Sequence, residues 1–167
     1  MAEKDTVFSS KMKYSGIFSF KDFYKFCHEW LTQETGLSIS EEKYSEKITG
    51  DSKEIDVVWA GEKKITDYFK FEAKIEMKVL GLTQVELEQK GIKTKTNKGE
   101  IEVKIKGVLS KDWQGKFETS AYKKFMRGIY QKWIIASEID EYMGKIAGDS
   151  DEFLSQAKEF LDLEGKR

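Results

Sequence analysis

Residues 69–79 read Phe-Lys-Phe-Glu-Ala-Lys-Ile-Glu-Met-Lys-Val, and apolar and charged side chains alternate along this stretch without a break. Successive side chains of a β-strand point to opposite faces of its sheet, so the stretch predicts a strand with one buried and one solvent-exposed face. We expect Phe71, Ile75 and Val79 to be buried. A parallel sheet covered on both faces is excluded, because its strands are apolar on both sides. We expect five charged residues to face solvent: Lys70, Glu72, Lys74, Glu76 and Lys78.

The same period of two extends over residues 37–109. Residues 55–59 and 101–105 place isoleucine, valine and tryptophan at alternate positions, as in half-buried strands. Short polar segments containing glycine predict turns at residues 50–52 and 97–99. This region is therefore predicted to be a meander of five or six antiparallel strands. Before it, three apolar residues among polar ones predict an edge strand: Phe8, Met12 and Tyr14.

Residues 19–35 have helical periodicity instead. Apolar side chains recur three and four positions apart, which is typical of a helix with one apolar face. Ser19 and Asp22 have the spacing of a capping box, with the shorter Asp in place of Glu. Gly36 suits the left-handed residue that follows a helix end. The segment is therefore predicted to be one amphipathic helix after the edge strand.

The C-terminal third is also predicted to be helical. Ser120 can cap a helix that runs to about Ala136, and Ser137 can cap its continuation. We expect Gly148 to break this continuation and a last helix to end at Gly165. Helices from both ends of the chain would then cover the apolar face of the sheet. The predicted fold is α+β, a two-layer sandwich formed by a single domain over residues 1–167.

In element order, the chain resembles the helix-grip proteins, in which a curved antiparallel sheet wraps a C-terminal helix. It departs from them in one respect, since those proteins usually have two short helices after the first strand. Three segments are similar to segments of small archaeal proteins to which no activity is assigned, and this second resemblance implies no function. The segments are Asp67-Tyr68-Phe69-Lys70-Phe71, Thr96-Asn97-Lys98-Gly99-Glu100 and Phe160-Leu161-Asp162-Leu163-Glu164-Gly165.

Composition and charge narrow the classes of protein to consider. The chain has 167 residues, a formal net charge of −1 and a pI of about 6.0. Its total charge therefore does not favour binding to nucleic acid or to an anionic membrane. The N-terminal segment lacks the apolar core of a signal peptide, and no apolar run approaches the roughly 20 residues that span a bilayer. We therefore expect a cytoplasmic protein that does not insert into a membrane.

The residue types that carry catalysis are scarce. The chain has one histidine, His28, and one cysteine, Cys27. Adjacent residues on a helix point about 100° apart. The two side chains are therefore badly placed to act together as a nucleophile and its general base. The glycines form no phosphate-binding loop, and the carboxylates form no calcium-binding loop. We therefore expect no catalytic residues, no metal, no cofactor and no enzymatic activity.

Charge is segregated along the chain. Residues 90–132 contain twelve basic and four acidic residues, a balance of +8, whereas residues 138–164 have a balance of −7. The two blocks can simply neutralise each other within the fold. If instead they lie on different surfaces, the subunit is a dipole, which favours head-to-tail contacts with copies of itself. Alternatively, the basic block beside Trp113 and Phe117 could bind single-stranded RNA. The residues of this candidate basic patch are Lys111, Lys116, Lys123, Lys124 and Arg127.

Aromatic residues most often fill a core, but here they also suggest another candidate site. If the sheet curves, its aromatic side chains would line an apolar pocket, and Tyr24, Tyr68 or Tyr122 would supply a polar group. The candidate pocket residues are Trp59, Phe69, Phe71, Phe117, Tyr122 and Phe125. The sequence thus favours a non-enzymatic interaction module that binds protein, including further copies of itself. The alternatives are a helix-grip binder of small apolar molecules and a weak binder of single-stranded RNA.

Overall fold

The computed structural model describes residues 3–115, 120–134 and 136–165. One antiparallel sheet and three α-helices make up this part of the chain, in agreement with the predicted α+β class. The strands are β1 (Glu3–Phe18), β2 (Ser38–Thr49), β3 (Ser52–Lys64), β4 (Phe69–Gln89) and β5 (Ile92–Lys111). The helices are α1 (Phe20–Gln33), α2 (Ala121–Ile129) and α3 (Ala136–Gly165), with a π-helical turn at Tyr130–Ile134. The strand order in the sheet is β1-β5-β4-β3-β2.

The two faces of the sheet differ as the alternation in residues 69–79 predicts. Phe71, Ile75 and Val79 are buried, whereas Lys74 and Lys78 are exposed. The other three charged residues predicted to face solvent, Lys70, Glu72 and Glu76, are only partly exposed. Lys70 is covered because its ammonium forms ion pairs with Glu62 and Glu72. Strand pairing aligns apolar side chains across the sheet, because Ile75 lies opposite Trp59 on β3 and Ile105 on β5. These rows form the floor of the core under the helices.

Helix α1 begins where the sequence predicts. The Ser19 side chain accepts a hydrogen bond from the Asp22 backbone amide at 3.3 Å, and the helix ends at Gln33, two residues before the predicted end. Its apolar face packs on the sheet and on α3, where the Phe26 and Phe160 rings stack at 4.7 Å between centroids. Burial of this face fixes α1 to the rest of the fold.

Helix α3 is one helix of 30 residues, so the predicted break at Gly148 is wrong. Gly148 is exposed, and an added Cβ there would meet nothing within 4 Å. A solvent-facing glycine costs a helix only about 1 kcal/mol, which burial of flanking residues such as Ile146 and Phe153 offsets. The helix passes close over β5 at Gly107, where an added Cβ would lie 2.8 Å from the Ser150 hydroxyl oxygen.

The predicted turn at residues 97–99 is also wrong, because these residues lie within β5. A Cβ at Gly99 would approach the Leu82 Cα to 3.0 Å, so this glycine permits close approach of β4 where that strand shifts register. The chain instead reverses at Lys90 and Gly91, which both have positive φ. Strands β4 and β5 are therefore long, at 21 and 20 residues, and in the part of the chain that the structure describes four strands follow α1 rather than five or six.

Among the residues described, none of the helices is both long enough and apolar enough to cross a lipid bilayer.

Candidate binding surfaces

Of the six residues predicted to line an aromatic pocket, the five that the structure describes lie in two different environments. Trp59, Phe69 and Phe71 are buried in the core between sheet and helices. Tyr122 and Phe125 lie on α2 with exposed fractions of 71% and 64%. Phe117 lies outside the described residues. Of the three tyrosines considered as polar groups, Tyr24 lines a surface groove and Tyr68 is buried.

The two residues that could act as a nucleophile and a base, Cys27 and His28, differ in their exposure to solvent. Cys27 is fully buried, and this burial raises the pKa of its thiol well above the ordinary value. His28 is exposed, and its ring meets the edge of Trp59 at 5.6 Å between centroids. Within residues 3–115, 120–134 and 136–165, no group of three or more histidine, cysteine or acidic side chains is arranged to hold a metal ion.

The predicted basic patch divides into paired and unpaired residues. Lys111 contacts Asp5 at 2.7 Å, and Arg127 contacts Glu3 at 2.9 Å. Lys123 and Lys124, by contrast, are exposed on α2, and no ion pair to either occurs among the described residues. Lys116 lies outside the described residues. Only part of the patch therefore presents free positive charge.

The paired residues fix α2 to the end of the sheet. Arg127 also contacts the buried carboxylate of Asp112 at 3.3 Å. One turn further on, the Gln131 side-chain amide donates to Glu3 at 3.0 Å and to the hydroxyl of Tyr68. Tyr68 in turn packs edge-on against the Tyr130 ring. Helix α2 is thus held through its polar side and through the turn that follows it.

This attachment leaves the apolar face of α2 in solvent. Tyr122, Phe125 and Met126 have the i, i+3, i+4 spacing of one helix face, and Met126 is 38% exposed. No residue of α2 is buried. Lys123 and Lys124 flank this face. We call these five residues the α2 surface.

Helix α3 presents the opposite charge. Seven of its carboxylates are exposed, on the side away from the buried residues of the helix. Leu163 is 61% exposed and lies beside Asp162 in this region. We call this the α3 acid face, formed by Glu138, Asp140, Glu141, Asp151, Glu152, Glu159, Asp162 and Leu163.

A second surface lies between the first turns of α1 and the neighbouring residues of strands β2 to β5. It is an open groove of about 710 Å³. Its apolar walls come from four elements: Phe20 and Tyr24 on α1, Tyr44 on β2, Ile55 on β3 and Leu82 on β4. We call it the α1 groove. Apart from Tyr24, these residues carry no sequence signal of a site, because they come together only when the sheet forms.

The polar groups of the α1 groove are organised by hydrogen bonds. The Tyr24 hydroxyl and the Trp59 indole both donate to Glu41 Oε1, at 2.5 and 3.2 Å. The Tyr44 hydroxyl donates to Glu46 at 2.8 Å. Partial burial and the neighbouring carboxylates raise the pKa of Tyr24, and raise that of Tyr44 to about 12. A carboxylate therefore lies beside each of the two tyrosines.

No protein-family model, curated protein or solved structure matches the chain.

Proposed function

We propose that this protein is a non-enzymatic interaction module that associates with further copies of itself. In this proposal the α2 surface of one copy docks on the α3 acid face of the next. The two surfaces are different parts of the molecule, so the contact is heterologous and can extend into a ring or a filament. The observation that carries the proposal is the exposed apolar face of α2.

The size of that face sets the expected strength. An aromatic side chain buries about 150–250 Å², so covering the exposed parts of Tyr122 and Phe125 would remove roughly 270 Å² from water. At about 25 cal/mol per Å² this contributes about 7 kcal/mol. Association costs about 4–15 kcal/mol in lost freedom, so this term alone supports at most a weak complex. We therefore expect association that depends on protein concentration and on additional electrostatic attraction.

Charge complementarity favours a second copy as the occupant. Helix α2 contains three basic residues and no acidic residue, whereas α3 contains nine acidic residues and two lysines. The α3 acid face also offers an apolar contact, because Leu163 is exposed and directly follows Asp162 in the chain. Both halves of a complementary contact therefore exist on the same chain.

Sedimentation velocity at rising protein concentration tests this proposal. We expect assembly at low salt that weakens by about 0.5 M salt, because exposed charges are screened over about 8 Å at physiological ionic strength. The reversal Lys123→Glu with Lys124→Glu should abolish assembly, and so should Glu159→Lys with Asp162→Lys. Arg127 is kept, because its reversal would break the attachment of α2 to Glu3 and Asp112.

Mixing the two reversed proteins should restore association, since each then offers the charge that the other lacks. The matched control is Lys43→Glu with Lys74→Glu, which reverses two exposed strand lysines and should leave assembly unchanged. A protein that stays monomeric at all concentrations contradicts the proposal. So does a mixture that stays monomeric, or an α2 surface that binds anionic vesicles without self-association.

RNA binding is the alternative for the same basic region. The Trp113 indole donates to the Thr66 carbonyl at 2.9 Å, and the Lys64 ammonium lies 5.0 Å from the centre of its ring. Lys111 and Arg127 are engaged in ion pairs. These contacts occupy groups that would stack bases or bind phosphates. Loss of single-stranded RNA binding in Trp113→Ala, with assembly unchanged, would favour the RNA alternative.

A further inference from the structure

The α1 groove has the size of a ligand site and lies apart from the α2 surface. Small-molecule sites usually occupy about 300–1,000 Å³ and combine apolar walls with a few oriented polar groups. At about 710 Å³, the groove falls in this range. Buried Ile55 and Leu82 form an apolar floor. A ligand with an apolar body therefore fits this surface.

Two tyrosines form an aromatic corner above that floor. The Tyr24 and Tyr44 rings are perpendicular, at 87°, and their centroids lie 6.1 Å apart. Tyr24 is held in turn by the Trp59 ring, at 5.1 Å and 70°. Aromatic faces attract cations within about 6 Å, and perpendicular rings of this kind occur in sites that bind alkylated ammonium groups.

The charged groups around the corner favour the same ligand charge. Glu41 and Glu46 accept the hydroxyl protons of Tyr24 and Tyr44 in hydrogen bonds, which places a carboxylate beside each ring. Lys53 lies 3.7 Å from Glu46 and offsets part of this charge. Glu41 has no such ion pair among the described residues. With Asp51 and Lys21 also at the rim, the charged residues lining the groove sum to −1.

We propose that the α1 groove binds an organic cation with an apolar body, an alkylated ammonium held between Tyr24 and Tyr44 and next to Glu41. The apolar part lies on Ile55 and Leu82. The ammonium faces the two aromatic rings, and Glu41 supplies the nearest unpaired negative charge. Such an ammonium is carried by free small molecules and by methylated lysine side chains of peptides.

The test uses three molecules that share a benzyl group and differ in charge: benzyltrimethylammonium, benzyl alcohol and phenylacetate. Binding is measured by NMR titration, with chemical-shift changes mapped on the chain. We expect the cation to bind about tenfold more tightly than the alcohol, with phenylacetate weakest and the changes centred on Tyr24 and Tyr44. A trimethyllysine peptide that binds more tightly than free benzyltrimethylammonium identifies a protein ligand, and equal affinity identifies a small molecule.

Two variants separate charge from shape. Glu41→Gln keeps a hydrogen-bond acceptor for Tyr24 and removes the negative charge. It should therefore weaken binding of the cation about three- to tenfold and leave the affinity for benzyl alcohol unchanged. Tyr44→Leu keeps an apolar contact and removes the aromatic ring, so it should weaken binding of the cation more than binding of benzyl alcohol. Glu76→Gln, on the opposite face of the sheet, is the control and should change neither affinity. Equal binding of all three molecules, or no binding of the cation, would overturn the proposal.

Discussion

Helices α1 and α2 begin with the same kind of cap, but their apolar faces lie in opposite environments. Each starts at a serine whose hydroxyl accepts a hydrogen bond from the backbone amide three residues later, at 3.3 Å for Ser19 and 3.1 Å for Ser120. Each has one apolar face. The face of α1 is buried, whereas that of α2 faces solvent. Amphipathic spacing therefore indicates a helix and the direction of its apolar face, but it does not indicate which surface covers that face.

The difference arises from how each helix is attached. Helix α1 connects β1 to β2, the two edge strands of the sheet, and lies across the apolar face between them. Helix α2 follows the end of β5 and is held by Arg127 through Glu3 and Asp112. An attachment through charged side chains leaves the apolar side of the helix free. We expect α1 to unfold only with the whole domain, and α2 to open separately.

The largest expected effect is on thiol chemistry. Cys27 in α1 is buried and its pKa is raised, so both access and thiolate formation are suppressed. In the variant Met126→Cys, the new thiol of α2 should react with iodoacetamide at least about a thousandfold faster than Cys27. Mass spectrometry of the digested protein distinguishes the two sites. Similar rates at both sites would mean that α1 opens as readily as α2.

The next effect is on stability. Phe23→Ala removes a fully buried ring from α1 and should lower the free energy of unfolding by about 3–5 kcal/mol. Phe125→Ala, the same substitution on exposed α2, should change it by no more than about 0.5 kcal/mol for the monomer. Urea melts at dilute protein concentration measure both. A large loss in Phe125→Ala would show that the α2 face is covered within its own chain.

The smallest effect concerns the two caps. Ser19→Ala should lower the free energy of unfolding by about 1 kcal/mol, because α1 is part of the cooperative unit. Ser120→Ala should leave global stability within about 0.5 kcal/mol of the parent protein and instead speed amide hydrogen exchange in the first turn of α2. Equal losses of global stability would place both helices in one cooperative unit and remove the contrast between them.

Local sequence patterns predicted much of the fold. The alternation in residues 69–79 predicted the strand and its facing, and Ser19 with Asp22 predicted the start of α1. Gly99 and Gly148 misled, because glycine is equally suited to a turn, to close backbone approach and to an exposed helix position. Only the packing around each glycine distinguishes these roles, and packing depends on residues distant in sequence.

The candidate sites were less predictable for a similar reason. The free lysines of the α2 surface were recognised as part of a basic block, but the pairing of Lys111 and Arg127 depends on Glu3 and Asp5 at the other end of the chain. The α1 groove joins Tyr24, Tyr44 and Leu82 from three separate elements. Periodicity does not predict contacts between residues that are distant in sequence. A site that forms only when the chain folds therefore has no local sequence motif.

The pairing of β1 with β5 has a consequence for how the chain folds during synthesis. Phe18 lies opposite Asn97, and Glu3 lies opposite Lys111, so the first strand pairs with residues 79 to 108 positions later. Until the ribosome has released β5, β1 has no partner, whereas β2, β3 and β4 can already pair in succession. Pairing over such distances closes a long loop and slows folding. The N-terminal strand therefore waits longest with its backbone amides unpaired, and this interval is when the nascent chain is most exposed to aggregation and to chaperones.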